Sequence, residues 1–249
     1  MNKRLFEDIF EYVMCLFYPN RCKFCGEITE TFDDVCENCE KSLPWIDGEI
    51  CNFCGALKTD CVCKSAHGNF YDGVIAPMYY VDTVKECIHN YKFFDARLNY
   101  KCLADLMSDT CKKRYQGVNF DYVTYIPMRK KNTRKRGYNQ SQLLAKRVAE
   151  NLGVTFCDDL LLKLYDTKVQ RSCTKLERKG NLIGVFDVNE KYDVAGKTVL
   201  IVDDVKTSGA TLSECGKMLY LHDTSYVYCL TAALVNSKIK EKNKKGERA

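Results

Sequence analysis

The chain has no long hydrophobic run. Although 46% of its 249 residues are hydrophobic, none of its stretches reaches the ~18 consecutive apolar residues that a membrane-spanning helix needs. It also lacks the small-residue cleavage site of a secretory signal peptide, and Glu7, Asp8 and Glu11 interrupt the apolar residues near its N-terminus. These absences predict a cytoplasmic protein without a transmembrane segment.

The N-terminal residues show helical periodicity instead. Apolar side chains recur at helical spacing at Phe6, Ile9, Phe10, Val13, Leu16 and Phe17. This spacing predicts an amphipathic helix over residues 1–19 that ends near Pro19.

A large excess of charge of one sign is also missing, because the formal net charge is only +5. The basic residues are unevenly placed, however. Residues 129–136 read RKKNTRKR and carry six basic residues in eight, and residues 237–249 form a lysine-rich tail that we expect to be flexible. Both stretches suit contact with phosphate, on a small ligand or on nucleic acid.

Cysteine is abundant, and its distribution is informative. Eight of the 16 cysteines lie between Cys22 and Cys63, in four close pairs that read CKFC, CENC, CNFC and CVC. Two neighbouring thiolates on a tight turn supply half of a tetrahedral zinc site. CKFC and CNFC are each followed by glycine, whose positive φ lets backbone N–H groups approach the sulfurs.

The four pairs predict a double zinc ribbon over residues 20–66 with two structural Zn²⁺ ions. By proximity along the chain, we assign the ligands of the first ion to Cys22, Cys25, Cys36 and Cys39, and those of the second to Cys51, Cys54, Cys61 and Cys63. An interleaved pairing remains open. Four thiolates leave no position for water or substrate, which makes each zinc structural and not catalytic. A redox role is the competing interpretation, but redox motifs seldom come as four tandem pairs.

From about residue 70 the pattern changes to alternating strands and helices. Paired strands are predicted in residues 70–82, and single strands in 120–127, 198–204 and 224–235. Helices are predicted in residues 84–94, 98–115, 141–153 and 209–223. This alternation predicts an α/β domain over residues 70–236, with a mainly parallel sheet flanked by helices. Ligands of such sheets lie at the carboxyl ends of the strands.

The segment after the strand TVLIVDD has the composition of a phosphate-binding loop. Directly before a predicted helix it contains Lys206, Thr207, Ser208, Gly209, Ala210 and Thr211. Small residues let backbone N–H groups curl around a phosphate, and a helix N-terminus adds favourable potential. Asp203 and Asp204 suit vicinal ribose hydroxyls, directly or through Mg²⁺. The alternative is a helix capped by Thr207 or Ser208, which leaves the paired carboxylates unexplained.

Three stretches carry a resemblance to known proteins. VLIVDDVKTSGAT, residues 199–211, resembles the phosphoribosyl pyrophosphate motif of type I phosphoribosyltransferases. A second stretch resembles a signature of the ComF family, carried by Pro127, Arg134, Arg136, Gly137, Tyr138, Asn139 and Gln140. A third is similar to another ComF stretch, carried by Thr167, Gln170, Arg178, Asn181, Gly184 and Phe186. With the zinc ribbons, the likeness covers roughly residues 19–234.

The resemblance implies a type I phosphoribosyltransferase fold that binds phosphoribosyl pyrophosphate with Mg²⁺. The 5′-phosphate would lie on residues 206–211 and the ribose on Asp203 and Asp204. The implied pyrophosphate loop contains Met128, Arg129, Arg134 and Arg136. The implied flexible hood contains Thr167, Gln170, Arg178 and Asn181. Asn139 and Gln140 begin a predicted helix. They either cap this helix or contribute to the functional site.

The chain departs from the pattern at a few positions. Lys206 lies where family members usually carry an apolar residue. Ser208 lies where many of them carry threonine, and Lys130 lies where they often carry proline. Purine-using relatives carry an aspartate as proton acceptor at the position of Thr207. If the chain transfers a phosphoribosyl group, its acceptor substrate therefore needs no such base, or another residue supplies one. The sequence identifies no catalytic residue.

Two functions follow from the resemblance. One is a phosphoribosyltransferase-like protein with an unnamed acceptor, acting as an accessory factor in competence and DNA uptake. The other is a competence factor that binds single-stranded DNA, or docks on other competence proteins, without catalytic turnover. Zinc ribbons and basic stretches suit strand binding through phosphates. The chain has no RNP-like aromatic motif for base stacking, so we expect such binding to depend steeply on salt.

Overall fold

The computed structural model describes six ranges of the chain: residues 20–29, 33–63, 69–93, 99–128, 138–164 and 185–239. The helix predicted over residues 1–19 and most of the predicted tail lie outside the described residues.

Two cysteine-bearing units precede the sheet, the first in residues 20–42 and the second in residues 50–63. In the first, the backbones of Arg21 and Ile28 form an isolated antiparallel bridge, and helix α1 (Glu37–Ser42) follows. The Sγ of Cys36 accepts a hydrogen bond from the Cys39 N–H and so caps this short helix. The second unit repeats the bridge, between Ile50 and Leu57, and a 3-10 turn (Lys58–Asp60) precedes its last two cysteines.

A parallel sheet forms the centre of the following domain. Its strands are β1 (Gly73–Ile75), β2 (Met78–Tyr79), β3 (Tyr122–Tyr125), β4 (Thr155–Phe156), β7 (Thr198–Lys206) and β8 (Tyr226–Leu234). The strand order is β1-β8-β7-β3-β4, and β2 also pairs with β8. Every pair in this sheet is parallel. The predicted α/β class with a parallel sheet is confirmed.

The prediction of paired strands in residues 70–82 is wrong. Both β1 and β2 pair with β8, and neither pairs with the other. Pro77 lies between them and has no N–H to donate to a ladder. Its carbonyl instead accepts a hydrogen bond from the Ile46 N–H at 2.8 Å, which attaches the cysteine-bearing region to the sheet.

Helices cover both faces of the sheet. They are α2 (Asp82–Phe93), α3 (Asn99–Arg114), α4 (Gln140–Leu152) and α5 (Ala210–Leu221). Alternate residues of β7 point to opposite faces. Leu200 and Val202 are fully buried in the core cluster that contains α2, α3 and α4, whereas Val199 and Ile201 are buried in the cluster that contains α5. This burial from both sides explains the uninterrupted apolar run in the strand.

A separate antiparallel pair joins β5 (Leu161–Lys163) to β6 (Phe186–Val188). The side chains of Leu161, Phe186 and Val188 are buried against the α5 face of the domain. The two strands therefore anchor both ends of the segment that the resemblance identifies as the hood.

The cysteine-bearing units pack directly on the α/β domain. Cys22 and Phe24 of the first unit belong to the same buried cluster as α2 and α3. In the second unit, Gly55 has a φ of +78°, and a Cβ there would lie 2.8 Å from the Val74 carbonyl oxygen and 2.9 Å from Leu234 Cδ1. Only glycine allows the second unit to approach β1 and β8 this closely.

Gly55 and Gly26 form a matched pair for testing this approach. Both follow a C-x-x-C pair with nearly the same φ, but no atom lies within 4 Å of a Cβ at Gly26. We expect Gly26→Ala to lower the free energy of unfolding by about 1–2 kcal/mol through the positive φ. Gly55→Ala should cost a further ~1–3 kcal/mol through the clash. Urea unfolding of the zinc-loaded proteins measures the difference, and equal losses would contradict the close packing.

Candidate functional site

The two aspartates lie at the carboxyl edge of the sheet, near the end of β7. Asp203 Oδ1 accepts hydrogen bonds from the Ser141 hydroxyl at 2.7 Å and from the Asp204 N–H at 2.9 Å. Ser141 lies in the first turn of α4 and is only 4% exposed, so the Asp203 carboxylate is held in one orientation. Both aspartates are partly accessible to solvent, which leaves room for a ligand.

Sequence reasoning missed Ser141. Its partner is 62 residues away in sequence, and nothing in the local pattern distinguishes it from other hydroxyls. The order of the elements does predict that Ser141 lies near Asp203, because α4 follows β3 and β3 is the parallel neighbour of β7. The residue at the start of α4 therefore reaches the same edge as the residue at the end of β7.

The loop between β7 and α5 has an open face. Its exposed residues are Thr207, Ser208, Ala210 and Thr211. The N-cap of α5 is Gly209, with a φ of +82° and no side-chain cap. The capped-helix alternative with Thr207 or Ser208 at the N-cap is therefore wrong, although the Ser208 hydroxyl accepts a weak hydrogen bond from the Ala210 N–H at 3.3 Å. A helix start without a side-chain cap suits an anion.

Lys206 is oriented differently from the rest of the predicted loop. It is the last residue of β7 and only 7% exposed. Burial lowers the pKa of its ammonium group, although nearby cysteine thiolates act in the opposite direction. A Cβ at Gly209 would lie 3.0 Å from Lys206 Cε and 3.1 Å from the Tyr71 hydroxyl. Lys206 therefore lies behind the loop, and glycine at 209 makes room for it.

Asn139 has a structural role. Its side-chain oxygen accepts a hydrogen bond from the Ser141 N–H at 3.1 Å and caps α4, and its amide group donates to the Ile126 carbonyl at 3.4 Å. These bonds tie the chain after β3 to the start of α4. The helix ends at Gly153, as predicted, and this glycine has a left-handed conformation.

Part of the predicted site lies outside the described residues. This applies to Arg129, Arg134 and Arg136 of the pyrophosphate loop and to Thr167, Gln170, Arg178 and Asn181 of the hood. Met128 is described and follows β3 at the same carboxyl edge as Asp203.

The structure gathers the eight paired cysteines into two groups. They are Cys22, Cys25, Cys36 and Cys39, and Cys51, Cys54, Cys61 and Cys63. Within each group all sulfurs lie within 4.8 Å of one another. The Cys25–Cys36 and Cys54–Cys61 sulfurs are 3.6 Å and 3.7 Å apart, close to the roughly 3.8 Å expected for two thiolates on one tetrahedral zinc. The residues fit two Zn²⁺ ions, and the grouping is sequential rather than interleaved.

Backbone geometry supports thiolate ligands. Gly26 and Gly55 have φ values of +77° and +78°, as the sequence predicts. Burial raises the pKa of the Cys22 thiol, but hydrogen bonds from the N–H groups of Cys25, Cys36 and Phe24 outweigh it and lower that pKa to about 7. For Cys22, the deprotonated form that zinc binds is therefore accessible near neutral pH. Burial raises the pKa of the Cys39 and Cys54 thiols, so the charge of the metal must favour their thiolate forms.

None of the helices in the described residues combines the length and the apolar character that a bilayer crossing needs.

Comparison with known proteins identifies both parts of the chain. Residues 13–67 match the family described as double zinc ribbon domain, and residues 139–247 match the family described as phosphoribosyl transferase domain. The first match contains both cysteine groups. The second contains the start of α4, the carboxylate pair and the loop before α5.

Three relatives are similar over most of their length. Competence protein F of Haemophilus influenzae is 25% identical over 83% of this chain and 93% of its own. The DNA utilization protein YhgH of Salmonella typhimurium is 25% identical over 82% and 99%. The competence protein ComFC of Streptococcus pneumoniae is 27% identical over 80% and 93%. The chain is therefore a homologue of the ComF, ComFC and YhgH proteins that joins a double zinc ribbon domain to a phosphoribosyltransferase domain.

Proposed function

We propose that this protein binds phosphoribosyl pyrophosphate with Mg²⁺ at the carboxyl edge of β7. The observation that carries the proposal is the Asp203–Asp204 pair. Ser141 orients the Asp203 carboxylate, and a loop and a helix without a side-chain cap follow the pair at once. One face thus offers carboxylates for a diol or a cation and N–H groups for a phosphate.

Each part of the ligand has a matching group. The 5′-phosphate is assigned to residues 207–211, with the exposed hydroxyls and the first turn of α5 as donors; Lys206, which the sequence includes in this loop, lies behind it. The ribose hydroxyls and Mg²⁺ are assigned to Asp203 and Asp204, because carboxylate oxygens are acceptors and hard ligands. The pyrophosphate is assigned to Met128, Arg129, Arg134 and Arg136, and the resemblance assigns Thr167, Gln170, Arg178 and Asn181 to a hood for the ligand.

The reaction class that suits this ligand is phosphoribosyl transfer, with the acceptor unnamed. Thr207 supplies a hydroxyl where a proton-accepting carboxylate would favour a purine acceptor. Mg²⁺, when bound, would neutralise the leaving pyrophosphate. The chain's own contribution is to orient the ribose through Asp203 and to hold its phosphate.

The names of the relatives indicate the cellular setting. Proteins similar over most of the chain are named for competence and for DNA utilization. We propose that this protein is an accessory factor in competence and DNA uptake, acting in the cytoplasm and in contact with other competence proteins. The two zinc ions are proposed as structural, because four thiolates surround each.

Calorimetric titration tests ligand binding. Wild-type protein should release or take up heat with phosphoribosyl pyrophosphate and Mg²⁺. Asp203→Asn and Asp204→Asn should each lose most of this binding. Ser141→Ala should weaken it about tenfold, because the charged hydrogen bond that orients Asp203 is lost.

Two controls isolate the site. Asp109→Asn removes an exposed carboxylate on α3, and Ser225→Ala removes an exposed hydroxyl before β8; both should titrate like wild type. A wild-type protein that gives no heat with the ligand would refute the proposal.

Zinc content tests the ribbons. Metal analysis should find two zinc ions per chain, and Cys25→Ala or Cys63→Ala should each reduce the content to one. Cys157→Ala removes a fully buried thiol outside both groups and should leave two. A strong chelator should unfold the ribbons, because metal binding supplies their folding free energy. A zinc-free native protein would overturn this assignment.

Single-stranded DNA binding without turnover is the second candidate, favoured by the relative named for DNA utilization. Binding should weaken linearly on a log–log plot against salt. Replacing Arg129, Lys130 and Lys131 by glutamine should reduce the slope by about 2. Replacing the exposed Lys85, Lys101 and Lys146 by glutamine removes the same charge elsewhere and should leave the slope unchanged. A flat salt response would exclude an electrostatic strand site.

A further inference from the structure

A cavity lies between the second cysteine-bearing unit and the ends of β7 and β8, and Thr207 and Ser208 of the loop before α5 also border it. Its volume is about 430 Å³, within the range of small-molecule sites. Its lining includes Phe53, Val62, Asn69, Lys206, Ser208 and Ser237. We call it the ribbon cavity.

The ribbon cavity faces away from the main core cluster. Lys206 is in register with Leu234 of β8, and Leu234 packs in the small cluster that contains Ala56 of the second cysteine unit. Lys206 borders the cavity together with Phe53 and Cys54 of the second unit, so its side chain points toward that unit.

Lys206 offers hydrogen-bond donors to the cavity. No hydrogen bond or ion pair joins its ammonium group to a residue in the described ranges, and its side chain is more than nine-tenths buried and borders the cavity. The nearby cysteine thiolates attract its charge, but an ammonium group also has three N–H donors. A ligand with an acceptor oxygen in the cavity would accept from them.

The opposite wall is apolar and accessible. Phe53 and Val62 are 39% and 49% exposed, which is high for such residues in a folded unit. Both border the cavity. An aromatic side chain there offers a stacking surface to a flat ring.

Hydrogen bonds fix the walls. The Tyr71 hydroxyl donates to the Phe53 carbonyl at 3.0 Å and accepts from the Asn69 amide at 2.8 Å. On the other side, the Asn236 amide donates to the Asp60 carbonyl at 3.0 Å. These bonds preorganise the wall that carries Phe53 relative to β1 and β8.

Charge selects a neutral ligand. Cys54 and Cys63, which belong to the second cysteine group, also border the cavity. With zinc bound, the four thiolates of this group outweigh the charge of the Zn²⁺ ion, and the net negative charge disfavours an anion beside Lys206. A carbonyl oxygen accepts from the ammonium group without this repulsion. Ring N–H groups then find acceptors in the oxygens of Asn69 and Ser237.

We propose that the ribbon cavity binds a small planar cyclic amide, a pyrimidine-type ring, with its carbonyl oxygen on Lys206 and its face against Phe53. This proposal does not rest on phosphoribosyl pyrophosphate binding, and its test omits that ligand.

The test is a titration of the zinc-loaded, ¹⁵N-labelled full chain with uracil, followed by amide chemical shifts. Saturable shifts should centre on Phe53, Val62 and Lys206. Pyrimidine, which lacks the carbonyls, should bind about tenfold more weakly. This comparison of ligands needs no variant.

Variants then assign the contacts. Lys206→Met should weaken uracil binding about tenfold or more, and Phe53→Ala roughly five- to tenfold. Lys146→Met removes an exposed ammonium on α4 and should leave the affinity unchanged. Zinc content and the amide spectrum show whether each variant is folded.

Three results would overturn the proposal. They are the absence of saturable shifts at uracil concentrations on the order of 20 mM, equal affinity of folded Lys206→Met and wild type, and tighter binding of benzoate than of uracil. The last result would show that the cavity selects an anion.

Discussion

Burial of β7 on both faces is the constraint on which the site depends. Residues 199–202 are fully buried, with parallel neighbours on both edges of the strand. A strand held this way has one register, because a shift of one residue would exchange its two faces. The following aspartates therefore emerge at one fixed place on the carboxyl edge. Ser141 and the loop before α5 reach the same place because their helices follow β3 and β7.

The cysteine-bearing units pack against the same domain. The first shares the buried cluster of α2 and α3 through Cys22 and Phe24. The second touches β1 and β8 so closely that only glycine fits at position 55. The zinc ribbons are thus attached to the strands that shape the site, and the ribbon cavity lies at their junction. Folding of the ribbons and geometry at the loop are consequently linked.

Local patterns predict the fold class, the helices α2 to α5 and the two cysteine groups, because periodicity and spacing depend on neighbouring residues. They do not predict contacts between distant segments. The Ser141–Asp203 hydrogen bond, the pairing of β1 and β2 with β8 and the direction of Lys206 all arise from packing. The loop composition indicates phosphate, but only the structure shows that Gly209, and not a hydroxyl residue, begins α5.

The central claim is that the carboxylate pair and the loop form one site for a metal-bound phosphoribosyl ligand. Paramagnetic broadening of amide resonances tests it most directly, with Mn²⁺ in place of Mg²⁺ and phosphoribosyl pyrophosphate present. The account predicts broadening centred on Asp203, Asp204 and residues 207–211, together with Ser141. Broadening centred elsewhere on the sheet, or its absence when the ligand is saturating, would contradict it.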